Sequence, residues 1–122
     1  MQNKILFPSG QAQLSAEGLD VLEKVGGILN QVQDKKIRVE GHTDNVPVSG
    51  GNRYDSNWEL SAARALNVVR FLTDKTQVPA ELLEAVALSE FHPVADNTNP
   101  TGRARNRRIE IMLQPLPADP DA

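Results

Sequence analysis

Apolar positions recur with a helical period in the first third of the chain. Between residues 16 and 32 they return every three or four positions, which is the spacing of one face of an amphipathic helix. Ser15 stands in front of this segment as an N-cap, and Gly26 and Gly27 within it predict close packing against a sheet. The apolar positions of this stripe are Leu19, Leu22, Val25, Leu29 and Val32.

A second helix is predicted from Ser56 to about Lys75. Ser56 and Glu59 have the spacing of a capping box, which marks the start of a helix. Two stripes follow, and the members of each lie three or four positions apart, so that each stripe occupies one face. The packing stripe is Ala62, Ala65, Leu66, Val69 and Leu72, widened by Val68 and Phe71, and the second stripe is Asn57, Leu60, Ser61 and Arg64.

Four other segments have the patterns of strands. Apolar runs occupy residues 5–7 and 85–88, whereas apolar and polar residues alternate at 37–42 and 108–113. The order strand, helix, strand predicts a βαβ unit with a right-handed crossover. Ligands of such units commonly lie in the loop at the carboxyl end of a strand. The polar segment 43–55 is that loop here, and we expect a ligand site in it.

Size and composition restrict the class of protein. A chain of 122 residues fits one domain with an ordinary core. The formal net charge of −3 argues against a large nucleic-acid interface, and the arginines at 103–108 have no aromatic residues among them. The chain has no cysteine, which removes disulfides and thiolate metal sites. It also has no run of about 18 to 20 apolar residues that would span a membrane.

The two ends of the chain suggest how the domain is bounded. The sequence opens almost directly on a strand-like segment, so we expect a domain cut from a longer protein. Residues 1–114 are predicted to form this domain. Residues 115–122 contain three prolines and are predicted to be a tail that does not fold.

Asp44 and Arg64 are two charged residues whose presence is not explained by a role in the hydrophobic core. Asp44 follows the 37–42 strand, and Arg64 lies on the same helical face as Asn57 and Leu60. A carboxylate and a guanidinium on facing elements can hold the ammonium and the carboxylate of a zwitterion. Trp58, at the start of the same helix, leaves two interpretations open, because it can pack on the domain or cover such a pocket.

His42 and Asp44 suggest a competing chemistry. Two residues apart on a strand, they point to one side and could act as metal ligands or as an acid and base pair. A third ligand at a recognisable spacing is missing. We therefore expect His42 to be structural and expect no metal and no other cofactor.

Three motifs in order match a known family. They are GHTD at residues 41–44, NWELSAARA at 57–65 and PVADNTNPTGRARNRRIEI at 93–111. Together they resemble the OmpA-like peptidoglycan-binding domain family over nearly the whole chain. The long loop after GHTD looks most like the branch found in flagellar motor stator B subunits (MotB type). The resemblance implies an α+β two-layer sandwich, with a βαβαβ mixed parallel and antiparallel sheet that carries helices on one face.

The resemblance also implies a ligand and a set of site residues. The ligand would be the diaminopimelate of the peptidoglycan stem peptide, whose free centre is a zwitterion. By this resemblance Asp44 would bind its ammonium and Arg64 its carboxylate. The remaining residues of the site would be Thr43, Asn57, Leu60 and Ser61, together with Arg103, Asn106 and Arg107 close to the pocket.

A function without catalysis follows from the same resemblance. The domain would lie in the periplasm and anchor a membrane complex, most similar to a motor stator, to the cell wall. Its partners would be peptidoglycan, a stator A-type channel subunit reached through an inner-membrane helix outside this chain, and a second copy in a homodimer. Nucleic acid is not expected. The alternatives are an OmpA or Pal-type outer-membrane anchor, a secretion-system anchor and, more remotely, a metal-dependent wall hydrolase.

The sequence departs from the family's pattern at residues 87–90. Many members have a Gly-aromatic-Gly-Glu segment there, whereas this chain has Ala-Leu-Ser-Glu, and His92 stands where arginine is frequent. Without the glycines, we expect negative φ angles through most of this turn.

Overall fold

Three strands and three helices make up the part of the chain that the computed structural model describes, residues 6–7, 11–48 and 54–116. In chain order they are α1 (Ala16–Leu29), β1 (Lys35–His42), α2 (Asn57–Thr76), β2 (Leu83–Ala87), α3 (Pro100–Asn106) and β3 (Arg108–Pro115). A 3-10 turn, Ala80–Leu82, leads into β2.

The strands form one mixed sheet with β1 in the centre. β2 pairs with β1 in parallel, from Ile37 opposite Leu83 to Gly41 opposite Ala87. β3 pairs with β1 in the antiparallel sense, and its first residue, Arg108, lies opposite His42. The carboxyl ends of β1 and β2 and the beginning of β3 therefore meet at one edge of the sheet. The predicted α+β class with a mixed sheet is confirmed.

The core lies between the sheet and two helices. α2 packs on β1 and β2, and α1 packs on α2. The buried apolar residues of this core come from α1, β1, α2 and β3, from the segment before α1 and from the connection between α2 and β2. They are Leu6, Phe7, Leu22, Leu29, Ile37, Val39, Ala65, Val68, Leu72, Val78, Leu82 and Ile109.

Helix α1 begins as predicted and ends earlier. The Ser15 Oγ accepts a hydrogen bond from the Gly18 amide at 2.9 Å, which is an N-cap. The helix ends at Leu29, three residues before Val32, and Leu19 is 40% exposed instead of facing the core. The expectation that Gly26 and Gly27 pack against a sheet was wrong. A Cβ on Gly26 would collide with the side chain of Thr76 at the end of α2, and a Cβ on Gly27 would meet nothing within 4 Å.

The buried face of α2 is rotated from the predicted packing stripe. Ala65, Val68 and Leu72 are fully buried, whereas Leu66, predicted to be in the core, is 45% exposed. The reason is that the second predicted stripe is buried as well, so that the two stripes form one continuous face. Asn57, Leu60, Ser61 and Arg64 are each at most 7% exposed.

The first and the last predicted strand both differ from the structure. Of the predicted opening strand, Ile5 lies outside the described residues, while Leu6 and Phe7 are buried but belong to no strand. β3 extends two residues past the predicted end at 113, because Pro115 still pairs with Lys35. The predicted tail beyond residue 116 lies outside the described residues, and the domain boundary stays a prediction.

Helix α3 was not predicted. An Asn-Pro pair such as Asn99-Pro100 is typical of a turn. In the structure, however, the Asn99 side chain accepts a hydrogen bond from the Gly102 amide at 2.7 Å and caps a helix. Pro100 at the first helical position is typical of such a start. The helix directs Arg107 toward the carboxyl end of β1.

Candidate ligand-binding site

Asp44 is a buried carboxylate at the carboxyl end of β1. Asp44 as a whole residue is 6% exposed. Oδ1 accepts a hydrogen bond from the Val46 amide at 3.0 Å, and Oδ2 lies 2.6 Å from Nη1 of Arg107 in an ion pair. The Thr43 hydroxyl donates to the Asp44 carbonyl at 2.8 Å. The carboxylate is therefore held in place by its own loop and faces Arg107.

Arg64 is a buried guanidinium on α2 with a fixed orientation. It is 4% exposed, its Nε donates to the Gln11 carbonyl at 2.9 Å, and its Cζ lies 5.2 Å from the centroid of the Phe7 ring. Burial and the nearby Arg107 lower the pKa of Arg64 to about 10, while Tyr54 and Asp44 oppose that change. Arg64 still carries its charge at neutral pH.

Arg107 completes a group of three charges, and it is the most exposed of them. Its side chain is 40% exposed, against 8% for the side chain of Asp44. An ion pair with one exposed partner typically contributes no more than about 1 kcal/mol to stability. Asp44 and Arg64 are thus held by contacts to backbone or to the core. Arg107 is held in the site by the ion pair of its Nη1 with Asp44, and its side chain is partly exposed to solvent.

Asn57, Ser61 and Thr43 hold the loops around these charges together. The Asn57 side-chain amide donates to the carbonyls of Asp44 and Val46, at 3.4 Å and 3.1 Å. The Ser61 hydroxyl accepts from the Ser89 amide at 3.2 Å, and the Thr43 amide donates to the Ser89 carbonyl at 2.8 Å. Their contacts are to backbone, so they position the site. Leu60 is buried beside them.

Arg103 and Asn106 belong to a neighbouring loop. Asn106 is fully buried; its side chain accepts from the amides of Val94 and Ala95 and donates to Ala95 and Asn97, at 2.7 to 2.9 Å. Arg103 donates to the Asn97 carbonyl at 3.0 Å. These contacts fold residues 94–97 onto α3. Of the three residues predicted in this segment, Arg107 is the one in contact with Asp44.

The turn after β2 has negative φ angles at Ala87, Leu88 and Glu90, as expected, with one exception at Ser89. Ser89 has a φ of 55° and is 2% exposed. A side chain in this left-handed region costs roughly 1 to 3 kcal/mol. Here the strain is offset by the hydrogen bonds of Ser89 to Ser61 and Thr43, and by the Leu88 amide, which donates to the Gly41 carbonyl at 3.0 Å.

His42 and Asp44 have different partners. Within the described ranges, one set of three side chains could hold a metal, namely Glu40, His42 and Glu110, whose ligand atoms lie within 4.8 Å of one another. The other oxygen of each carboxylate pairs with an arginine, Glu40 with Arg38 and Glu110 with Arg108, at 2.8 and 3.2 Å. The two guanidiniums balance the two carboxylates, so a cation would have to compete with them.

The sequence indicated neither the support of Arg64 nor the aromatic pair next to the site. The Gln11 carbonyl and the Phe7 ring hold Arg64, and both come from the segment before α1. Trp58 is 49% exposed and packs on the surface of the domain against Phe91, with ring centroids 5.4 Å apart, which agrees with the first of its two interpretations. Both arrangements depend on contacts between residues that are far apart in sequence, which no local pattern encodes.

The fold and the three charges at one sheet edge define an α+β ligand-binding domain, and comparison with known proteins identifies its family. The model of the OmpA family matches residues 6–107. The chain belongs to the OmpA family, as the motifs indicated. In the described part of the chain, no helix has the length and apolarity needed to cross a membrane.

Relatives of known name share this domain. The chain is 32% identical to Motility protein B of Bacillus subtilis over 94% of this chain and 44% of the relative. It is 33% identical to the peptidoglycan-binding protein ArfA of Mycobacterium tuberculosis over 89% of this chain and 32% of the relative. The chain therefore spans less than half the length of these two relatives.

Solved structures have the same fold. A MotB-like protein from Desulfovibrio vulgaris matches 95% of this chain and 73% of its own, with a TM-score of 0.89 and 32% identity. The cell wall anchor of the type VI secretion system from Pseudomonas aeruginosa matches 95% of this chain and 79% of its own, with a TM-score of 0.85 and 37% identity.

Proposed function

We propose that this domain binds the stem peptide of peptidoglycan and so anchors a membrane complex to the cell wall in the periplasm. The observation that carries the proposal is the group of charges formed by Asp44, Arg64 and Arg107 at one edge of the sheet. A carboxylate and two guanidiniums match the ammonium and the carboxylate on the free centre of diaminopimelate. The relationship to a peptidoglycan-binding protein and to a cell wall anchor supports this choice of ligand.

In this proposal each charge of the ligand has a partner. Asp44 accepts hydrogen bonds from the ligand ammonium, while the planar fork of Arg64 donates to the ligand carboxylate. Thr43, Asn57 and Ser61 position the two loops, and Leu60 is buried beside them.

The affinity of one such site is low, and the wall compensates by repetition. Each charge-assisted hydrogen bond contributes about 1.5 to 3 kcal/mol, from which the cost of association is subtracted. The dissociation constant of a single site is therefore expected in the micromolar to millimolar range. A polymer that offers many copies of the ligand to a tethered or dimeric protein raises the effective affinity without any new contact.

For the host complex we propose a flagellar motor stator B subunit. The relationship to Motility protein B supports it, and the partners would be an A-type channel subunit and a second copy of the chain. The resemblance to a secretion-system wall anchor supports a second host, with the same ligand. Sequence upstream of this domain separates the two, because a stator subunit needs one membrane helix with an acidic residue.

We also propose that binding occurs without catalysis. His42, the residue that suggested a wall hydrolase, pairs with Glu40 and Glu110 instead of Asp44. Incubation with purified wall sacculi tests this. Soluble wall fragments released by the metal-loaded protein would overturn the proposal, and protein that pellets with intact sacculi would support it.

Sedimentation with purified sacculi tests the binding site itself. We expect the wild type to pellet and both Asp44→Ala and Arg64→Ala to stay in the supernatant while remaining folded by circular dichroism. Two exposed residues on the same helix supply matched controls, Arg70→Ala and Asp74→Ala, which should pellet like the wild type. Free diaminopimelate should compete. Undiminished pelleting of either site variant would remove that residue from the site.

A further inference from the structure

We propose that Arg107 is an exchangeable internal cation that makes the site select an ammonium and a carboxylate on the same carbon over an ammonium alone. In the free protein Arg107 occupies Asp44. When a ligand binds, its ammonium takes this place and Arg107 turns to the ligand carboxylate. The inference rests on the proposed function and adds the residue by which the site distinguishes this ligand from one that carries an ammonium alone.

The three charges differ in how firmly they are held. Arg64 is fixed by the Gln11 carbonyl and the Phe7 ring, and Asp44 is fixed by the Val46 amide. Arg107 contacts the site through its Nη1, and 40% of its side chain is exposed. Release of Arg107 therefore frees a guanidinium that is already partly exposed, whereas release of Arg64, which is 4% exposed, would break its hydrogen bond to the Gln11 carbonyl and its contact with Phe7.

The charge balance of the site makes a ligand carboxylate necessary. Two guanidiniums face one carboxylate, which leaves one excess positive charge, and the effect of Arg107 on the pKa of Arg64 shows that the two cations sense each other. A ligand that brings only an ammonium adds a third cation to this group. A zwitterion adds no net charge, and its carboxylate lies where two guanidiniums can donate to it.

The two charges of the ligand are therefore coupled through Arg107. An ammonium alone has to displace Arg107 from Asp44 without offering it another anion. An ammonium with a neighbouring carboxylate supplies that anion in the same event. The site should consequently reject lysine-type stem peptides, and stem peptides whose carboxylate is amidated, by more than the loss of one contact to Arg64.

A matched pair of tripeptides tests the coupling. L-Ala-γ-D-Glu-meso-diaminopimelate and the same tripeptide ending in L-lysine differ by one carboxylate at the free centre. Their dissociation constants are measured by calorimetry or NMR titration for the wild type, for Arg107→Gln and for Arg105→Gln. Arg105 is exposed two residues away on α3, so its variant controls for the loss of one positive charge.

The wild type should bind the diaminopimelate tripeptide at least about tenfold more tightly than the lysine tripeptide. In Arg107→Gln this ratio should fall several-fold, because the diaminopimelate tripeptide binds less tightly while the lysine tripeptide binds as well as before or better. Arg105→Gln should keep the wild-type ratio. The tripeptide with an amidated carboxylate should behave like the lysine tripeptide.

Two results would overturn the inference while the proposed function stands. One is an unchanged ratio in Arg107→Gln, and the other is an equal loss of both ligands, which would make Arg107 a structural residue. In both cases Asp44→Ala would still abolish binding. If the wild type binds neither tripeptide, the proposed function fails and the inference fails with it.

Discussion

At the scale of single residues, three buried polar side chains at or near the site each have partners that hold them in place. Asp44, Arg64 and Asn106 are each at most 6% exposed, and each is bonded to backbone or to an opposite charge. Burial without such partners would cost several kcal/mol per charge, so these residues are positioned with little freedom. His42 is buried as well, but only its Nε2 has a hydrogen-bond partner, the Glu40 carboxylate at 3.2 Å, whereas its Nδ1 has none among the described residues.

His42 should make the domain sensitive to acid. Burial lowers the pKa of its imidazole below the ordinary 6.5, with a smaller contribution from Arg108, while Glu40 and Glu110 oppose the change. The folded state therefore keeps His42 neutral at a pH where the unfolded state binds a proton. Stability from this group is present above pH 6.5 and is lost as the pH falls below it.

NMR titration of His92→Gln, which leaves His42 as the sole histidine, measures this pKa directly. We expect a midpoint below 6.5 and a free energy of unfolding that decreases as the pH is lowered through the same range. A midpoint at or above that value would contradict the account of His42.

At the scale of elements, close approach between α2 and the strands determines which glycines are needed. A Cβ on Gly41, in the GHTD motif, would collide with the Ser61 carbonyl of α2, a backbone atom that cannot turn aside. A Cβ on Gly27, in α1, would meet nothing within 4 Å. The two glycines are thus a matched pair, one required by packing and one not.

Alanine at the two positions should have opposite effects. We expect Gly41→Ala to lower the free energy of unfolding by about 1 to 3 kcal/mol through overpacking. Gly27→Ala should raise it by up to about 1 kcal/mol, because alanine favours the helix more than glycine. Urea denaturation of both variants checks this. Equal stability of Gly41→Ala and the wild type would show that α2 can move away from β1.

Periodicity predicted elements well where they repeat and poorly where contacts are distant. The helix start at Ser56 is confirmed as an N-cap, since its hydroxyl accepts from the Trp58 amide at 3.1 Å, one residue earlier than the capping box predicted, and its side chain also contacts Glu59. The packing face of α2 was misassigned in part, because Arg64 is polar in sequence yet is buried against Phe7, which comes from the segment before α1. Helix α3 was missed, because Asn99-Pro100 also occurs in turns.

At the scale of the whole molecule, the topology brings the site together. Asp44 after β1, Ser89 after β2 and Arg107 before β3 are far apart in sequence, yet they meet because parallel strands end at the same edge. The sequence predicted Asp44 and Arg64 as partners from their types and positions. It could not predict that Arg107 pairs with Asp44, since that contact depends on the antiparallel register of β3.

Chemical-shift mapping with the diaminopimelate tripeptide tests the central claim most directly. The Arg64 Nε–H donates to the Gln11 carbonyl and gives an observable reporter inside the site. We predict saturable shifts of this signal and of the amides of residues 43–46, with none at the exposed Ile28 on α1. Saturable shifts confined to another surface, or no shifts at millimolar tripeptide, would contradict the assignment of Asp44 and Arg64 as the binding site.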